Sequence, residues 1–279
     1  MLSEFISYGF VQRGLLAGSL VAVVCAILGV FLVLKRLSLI GDGLSHVCLT
    51  GVALGLLTQN NPLYMSIPVV LLSSLGIVKI MDKVKVYGDA AIGIVSAVGL
   101  AVGVMITAQA GGFNADLFGF LFGSILTVGK TEVFLCAVLL VLLLLFLLFF
   151  YRDLIAACFD ESFAHTRGIC VKHLNMVLIL FTSVAVVLAF KVVGIFLISA
   201  LIILPPVSAL MLARTFKQVL ICSVGVALLS VWSGVYLSFV FNIPSGATII
   251  LINLFFLVLS FIYSKLTAIF GKAGEQNAD

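Results

Sequence analysis

The sequence predicts an all-α membrane protein, a polytopic bundle of about eight to nine transmembrane helices with a short helix on its cytoplasmic surface. Hydrophobic residues make up 63% of the 279 positions and charged residues only 9%, so the chain lacks the polar side chains needed to cover a soluble globule. Apolar runs long enough to cross about 30 Å of hydrocarbon recur along the whole chain. We therefore expect residues 1–279 to form a single transmembrane domain, with 266–279 as a cytoplasmic tail.

Nine helices are predicted from the apolar runs that lie between charged and turn-forming segments. They cover residues 14–34, 39–57, 63–81, 90–109, 131–150, 174–190, 193–212, 218–240 and 246–267. A further apolar segment, residues 116–128, is too short for a comfortable crossing and is expected to be tilted or re-entrant. Pro205 and Pro206 predict a kink in the seventh span, and a helix broken beside a substrate path is the alternative.

The distribution of lysine and arginine predicts the orientation. If the loop after the first helix is cytoplasmic, 12 of the 15 basic residues fall inside, as the positive-inside rule requires. The N-terminus is then outside and the C-terminus cytoplasmic. Residues 1–14 carry Glu4 and no basic region ahead of an apolar one, so they do not predict a cleaved signal peptide. The three basic residues left outside are Arg13, Lys130 and Lys191.

Several classes of function are disfavoured. The net charge of +4 is explained by basic loops, so nucleic acid is not an expected partner. The six cysteines show no paired CxxC spacing, and neither disulfides nor a structural zinc site are expected. No phosphate-binding GxxxxGK[ST] loop, HExxH motif or nucleophile with a base in register occurs. The chain is therefore not expected to be an enzyme, and any ATP must be hydrolysed by another subunit.

The longest internal polar stretch, residues 151–173, predicts a short helix on the cytoplasmic surface that ends at Gly168. An ordinary solvated loop is the alternative, because inner loops commonly carry such charges.

Asp42 and His46 are the polar residues that the predicted spans do not explain. They lie four residues apart in "LSLIGDGLSHVCLTGVALG", so they share one helix face. His46 is about 10 Å along the predicted helix, where an uncompensated charge costs about 3 kcal/mol. Three interpretations remain open: a private hydrogen bond between the two side chains, a proton relay, or a transient metal site.

A metal site is chemically reasonable because imidazole and carboxylate together suit zinc and manganese. Cys48 lies on another face of the helix, so one chain offers two good ligands, and a structural tetrahedral site needs four. Such an incomplete site binds weakly, as a conduction path requires. Two copies of the chain around a two-fold axis would bring two aspartates and two histidines together.

The run "GVFLVLKRLSLIGDGLSHVCLTGVALGLL" resembles the signature of the integral-membrane permease subunits of bacterial zinc and manganese ABC importers. In that family a Gly-Asp-x-x-Ser-His-x-x-x-x-Gly stretch opens the second helix. Later stretches agree in order and spacing: "DAAIGIVSAVGLAVGVM", "DLFGFLFGSIL", "FDESFAHTRGI", "VVGIFLISALIILPPVSALMLA" and "IPSGATIIL". The resemblance covers almost the whole chain.

The resemblance implies a permease homodimer in the bacterial plasma membrane, with two cytoplasmic ATPase subunits and an extracellular or periplasmic metal-binding protein. Asp42 and His46 match the positions that contact the metal in passage. Transported Zn²⁺ or Mn²⁺ is then cargo, no cofactor is bound permanently, and ATP is bound by the partner subunit. The resemblance also implies that the stretch 159–168 is the coupling helix that docks on the ATPase, through Phe159, Asp160, Glu161, Phe163, Arg167 and Gly168.

The sequence departs from the family pattern at a few positions. Gly43 stands where alanine or threonine is common, and Thr50 replaces a proline that is frequent in manganese-type members. Residues 60–63, "NNPL", resemble zinc-type relatives, so zinc is the preferred prediction. The competing hypotheses are a proton-coupled secondary metal carrier that works without an ATPase partner, and a signalling or scaffold protein whose polar pair is structural.

Overall fold

The structure is a computed structural model, and it describes residues 9–84, 88–109, 115–123, 128–195 and 198–276. Within these ranges the secondary structure is helical and no strand occurs. The helices are α1 Gly9–Leu34, α2 Ile40–Leu57, α3 Pro62–Val84, α4 Gly88–Gln109, α5 Ala115–Phe122, α6 Lys130–Phe159, α7 Glu161–Thr166, α8 Val171–Ala189, α9 Ile198–Leu212, α10 Phe216–Phe241 and α11 Ser245–Gln276.

The predicted all-α membrane bundle is confirmed. Eight of the helices in the described part of the chain are long and apolar enough to cross a membrane, and α9 is a shorter apolar helix. Each of the nine predicted spans corresponds to one of these helices. The segment predicted to be re-entrant, 116–128, contains α5, but residues 124–127 lie outside the described ranges, as do residues 1–8 of the segment considered for a signal peptide.

Helix α6 is longer than predicted. It runs from Lys130 to Phe159 rather than ending at 150, and the prediction that the surface segment begins at 151 is therefore wrong. The added turns bury Leu154 and Ala157, which are 0% and 1% exposed, and this apolar contact extends the helix past the charges that marked its predicted end. Helix α11 likewise continues to Gln276, beyond the predicted end at 267.

The chain enters α9 through a buried turn. Helix α9 begins at Ile198, not at 193 as predicted, and its 15 residues span only about 22 Å. The preceding turn is inside the protein, with Val192 and Val193 at most 1% exposed. Gly194 makes the turn possible, because its φ of +98° disfavours other residues and an added Cβ would lie 2.4 Å from the Phe122 carbonyl carbon.

Pro205 and Pro206 lie within α9, and the helix is continuous through both, so the alternative of a break at these prolines is wrong. Proline has no N–H, so the Ile202 carbonyl four residues before Pro206 loses its partner in the helix. Gly29 of α1 packs against that oxygen, since a Cβ at this position would lie 2.0 Å from it. The two helices therefore meet backbone to backbone.

Helix α2 packs closely against α3 and α4 through small residues. A Cβ added at Gly43 would lie 2.6 Å from Ile92 Cγ2, and one at Gly51 would lie 2.4 Å from Ser66 Cα. The Thr50 hydroxyl donates a 2.6 Å hydrogen bond to the Gly99 carbonyl on α4. Such close contacts are typical of helices in membranes, where small residues permit approach and polar side chains add hydrogen bonds. They fix the position of α2 in the bundle.

Charged side chains pair at both ends of the bundle. At one end, Lys172 of α8 lies 2.9 Å from Asp82 of α3. At the other end, Lys191 donates to Glu132 of α6, and the two side chains are only 12% and 11% exposed. Lys191 is therefore part of a buried ion pair and is not a free loop charge. The Glu132 carboxylate also accepts a 3.0 Å hydrogen bond from the Gly129 amide at the start of α6.

Candidate functional site

Asp42 and His46 lie together at the start of α2. The helix begins at Ile40 and has Asp42 in its first turn, where unpaired amide groups and the helix dipole stabilise a carboxylate. The i, i+4 spacing directs both side chains to one face, and His46 Nε2 lies 3.6 Å from Asp42 Oδ2. The Ser45 hydroxyl bonds to the Asp42 carbonyl at 2.7 Å and does not compete for the carboxylate.

The distance between the two side chains suits two ligands of one metal ion better than a hydrogen bond. At 3.6 Å it exceeds the usual range for a hydrogen bond to a ring nitrogen. Ligand bonds of about 2.1 Å at a tetrahedral ion separate two ligand atoms by about 3.4 Å. The nitrogen and the carboxylate oxygen are thus spaced as two ligands of one transition-metal ion would be.

The pair is open on one side. The side chain of Asp42 is 47% exposed and that of His46 is 22% exposed, although both belong to a helix that is otherwise largely buried. Cys48 is fully buried, which agrees with its predicted place on another face of the helix. Across the described ranges, no group of three or more His, Cys, Asp and Glu side chains is placed to hold a metal ion. A tighter site would therefore need ligands from outside these residues.

The predicted surface helix is present as α7, Glu161–Thr166. Asp160 caps it, because its Oδ1 accepts a 3.0 Å hydrogen bond from the Phe163 amide. Gly168, with a φ of +77°, follows the helix, and its amide bonds to the His165 carbonyl at 3.0 Å. The local sequence thus determines both ends of this helix.

Two aromatic side chains are exposed at this surface, that of Phe159 at the end of α6 and that of Phe163 on α7. Phe159 and Phe163 are 69% and 48% exposed, and the Arg167 guanidinium lies 4.9 Å from the centre of the Phe163 ring. Ala164, the residue after Phe163, is fully buried and packs α7 against the bundle. Exposed aromatic and arginine side chains next to acidic residues have the composition of a protein interface.

Lys35 is buried and paired, which its place in the sequence does not predict. Its side chain is only 3% exposed, and its Nζ lies 3.9 Å from Glu161 Oε1 on α7 and donates a 2.5 Å hydrogen bond to Asn175 Oδ1 on α8. We call these three residues the Lys35 cluster. The sequence signal was weak, because Lys35 is one of many basic residues at predicted helix ends and its partners lie more than a hundred residues away.

Comparison with known proteins gives consistent matches over most of the chain. The model of the ABC 3 transport family matches residues 7–264. A manganese transport system membrane protein of Halalkalibacterium halodurans is 30% identical over 94% of this chain and 89% of that protein. The high-affinity zinc uptake system membrane protein of Haemophilus influenzae is 28% identical over 88% and 94%. The solved structure of PsaBC from Streptococcus pneumoniae in complex with Fab has a TM-score of 0.82 at 31% identity and covers 94% and 95%.

Proposed function

The chain belongs to the ABC 3 transport family, and from this premise we propose that it is the permease subunit of an importer that moves a divalent metal ion across the plasma membrane. The observation that carries the proposal is the Asp42–His46 pair, two metal-ligand side chains at 3.6 Å on a membrane-spanning helix. A private hydrogen bond explains this pair less well, because the separation suits two ligands of one ion better than a donor and an acceptor.

We infer that Zn²⁺ is the preferred cargo and that Mn²⁺ is also carried. A site of nitrogen and oxygen ligands binds Zn²⁺ more tightly than Mn²⁺ by the Irving–Williams order. Relatives named for manganese and for zinc both match this chain. Two copies of the permease would together supply two carboxylates and two imidazoles, and the open side of each pair supports such sharing.

The proposed partners are a cytoplasmic ATPase subunit and an extracellular or periplasmic metal-binding protein. The exposed side chains of Phe159 and Phe163 support docking of the ATPase at the end of the bundle that carries Lys35 and Lys172. The positive-inside rule makes this end cytoplasmic, with the N-terminus outside and the C-terminus inside. The permease has no catalytic role of its own in this scheme, and the ATPase subunit hydrolyses ATP.

The mechanism that we propose is alternating access. Closure of the two ATPase subunits displaces α7, the helices tilt, and the Asp42–His46 pair opens first to the outside and then to the cytoplasm. Weak binding is an advantage here, since an ion held by four ligands of one chain would not be released. The permease thus provides a path with a low-affinity metal-binding site.

The test uses the permease assembled with its ATPase and reconstituted in vesicles. Uptake of radioactive zinc and manganese is measured with and without ATP for the wild type, Asp42→Asn and His46→Gln. Loss of one of two ligands should lower uptake at limiting metal about tenfold or more. The matched control is Asp89→Asn, since Asp89 is also an acidic residue in the first turn of a membrane helix and should retain uptake.

Two results would contradict the proposal. Native uptake by an Asp42→Asn, His46→Gln double variant would remove the pair from the transport path. Uptake by the permease alone on a proton gradient, without ATPase or ATP, would identify a secondary carrier with Asp42 and His46 as its proton relay.

A further inference from the structure

The Lys35 cluster connects two parts of the molecule to which the proposed function assigns separate roles. Glu161 is the first residue of α7, and Lys35 lies between α1 and α2, the helix that carries Asp42 and His46. The lysine Nζ contacts Glu161 Oε1 at 3.9 Å and Asn175 Oδ1 at 2.5 Å. One buried ammonium group therefore contacts α7 and α8 from the turn that precedes α2.

The turn between α1 and α2 is held by backbone hydrogen bonds. Lys35 directly follows the end of α1 at Leu34, and Arg36 adopts the left-handed conformation with a φ of +57°. The Arg36 amide bonds to the Val33 carbonyl at 3.1 Å and the Leu37 amide to the Leu32 carbonyl at 2.8 Å, which together form a Schellman motif. The side chain of Leu37 is buried. The Ile40 amide at the start of α2 bonds to the Leu37 carbonyl at 3.1 Å, so hydrogen bonds connect the turn to both helices.

The burial of Lys35 distinguishes it from a lysine that only marks the cytoplasmic end of a helix. With 3% of its side chain exposed, the ammonium group loses most of its hydration, which is costly unless partners replace it. Burial lowers the pKa of Lys35, and the neighbouring Cys158 and Glu161 oppose this effect. A lysine that served only the positive-inside rule would extend into water, as Lys172 does with 70% of its side chain exposed.

We propose that Lys35 is a positioning residue that couples α7 to the Asp42–His46 pair, so that displacement of α7 by the ATPase moves the first turn of α2. The inference rests on the proposed function and adds a specific route to it. The Lys35 turn leads directly into α2, and Asp42 is in the first turn of that helix. A shift of Glu161 therefore acts through Lys35 on the end of α2 where the carboxylate is held.

The test compares metal uptake with ATP hydrolysis in the reconstituted permease–ATPase complex. Lys35→Met keeps the length and apolar stem of the side chain and removes its charge. The variant should assemble and hydrolyse ATP, but the metal imported per ATP hydrolysed should fall about tenfold or more, as expected when a charge-assisted hydrogen bond is lost. Lys35→Arg should restore most of this ratio, because it retains the charge and can contact both partners.

The matched control is Lys172→Met. It also removes a lysine from an ion pair at the same end of the bundle, but this pair joins α8 to α3 and does not lead to α2. Its uptake per ATP should stay at the wild-type value. If Lys35→Met does not assemble, Glu161→Gln replaces it in the test, since Glu161 is 63% exposed and the Lys35–Asn175 bond remains. That variant should lower the same ratio in the assembled complex.

The outcomes separate this inference from the proposed function. If the wild type imports metal with ATP and Lys35→Met or its substitute Glu161→Gln has an unchanged ratio of uptake to hydrolysis, Lys35 does not couple the two parts, and the proposed function stands. If uptake and hydrolysis fall together in proportion to the amount of assembled complex, Lys35 is structural only. If the wild type shows no ATP-dependent uptake, the proposed function itself fails.

Discussion

The buried ion pair between Glu132 and Lys191 gives the sharpest test of how the end of the bundle opposite α7 is held together. The pair joins the start of α6 to the turn that leads into α9. Glu132→Gln removes the charge but retains an oxygen that can accept the hydrogen bond from the Gly129 amide. Lys191→Met removes the other charge and keeps the length of the side chain.

The magnitude follows from the burial of the two side chains, which are 11% and 12% exposed. Removal of one partner leaves a charge that is largely desolvated, at a cost of about 3 kcal/mol. The unfolding entropy of soluble proteins is about 2.1 cal/mol/K per residue, which gives roughly 0.6 kcal/mol/K for 279 residues. Each single variant should therefore melt about 5 °C below the wild type. The double variant should lose only about 1 kcal/mol, because no unpaired charge remains.

The assay is thermal unfolding in detergent, followed as the monodisperse fraction after heating. The control is the exposed pair of Lys172 and Asp82, with side chains 70% and 36% exposed, whose removal should cost less than about 1 kcal/mol. A melting temperature of Glu132→Gln equal to those of the control variants would contradict a stabilising buried ion pair. A double variant that loses the sum of the two single effects would contradict it as well.

Four further predictions concern other parts of the molecule. Gly194→Ala should cost about 3 kcal/mol, because it combines a φ of +98° with a 2.4 Å approach to backbone; thermal unfolding of Gly225→Ala, where a Cβ meets open space, is the control. Thr50→Val should lower stability by about 1 kcal/mol through loss of its bond to α4, and a melting point equal to that of Thr50→Ser would contradict this. Phe163→Ala should weaken capture of the ATPase subunit about tenfold, whereas Phe134→Ala, exposed on a membrane-spanning helix, should bind normally. Burial lowers the pKa of Lys35 below its ordinary 10.5. Between the lowered value and 10.5 the unfolded chain therefore binds more protons than the folded chain. The contribution of Lys35 to stability should rise with pH in that window. Unfolding of Lys35→Met should lack this rise.

The membrane-spanning helices were predictable because their signal is local. An apolar run long enough to cross the bilayer must become a helix, since no other structure of a single segment satisfies its backbone there. The ends of α7 were equally predictable, because Asp160 and Gly168 form hydrogen bonds with backbone groups only three residues away. Where the prediction was wrong, at the end of α6 and the start of α9, the boundary is set by packing against distant segments.

The candidate site was partly predictable for the same reason. Asp42 and His46 were identified because an i, i+4 spacing on a helix fixes their proximity whatever the rest of the chain does. The open side of that pair, and its separation of 3.6 Å, required the structure. The orientation of the bundle and the roles of Phe159 and Phe163 in docking stay predictions.

The sequence by itself determined the class of protein, the membrane helices and the polar pair on α2, because hydrophobic length and helical periodicity act over short stretches of chain. Only the tertiary structure decided that Lys35 is buried between α7 and α8, that Lys191 pairs with Glu132, and that the chain folds inward before α9. A charge at a helix end looks the same in the sequence whether water hydrates it or a carboxylate pairs with it. Which of the two surrounds it depends on how closely helices distant in the sequence approach, and that distance is a property of the tertiary structure.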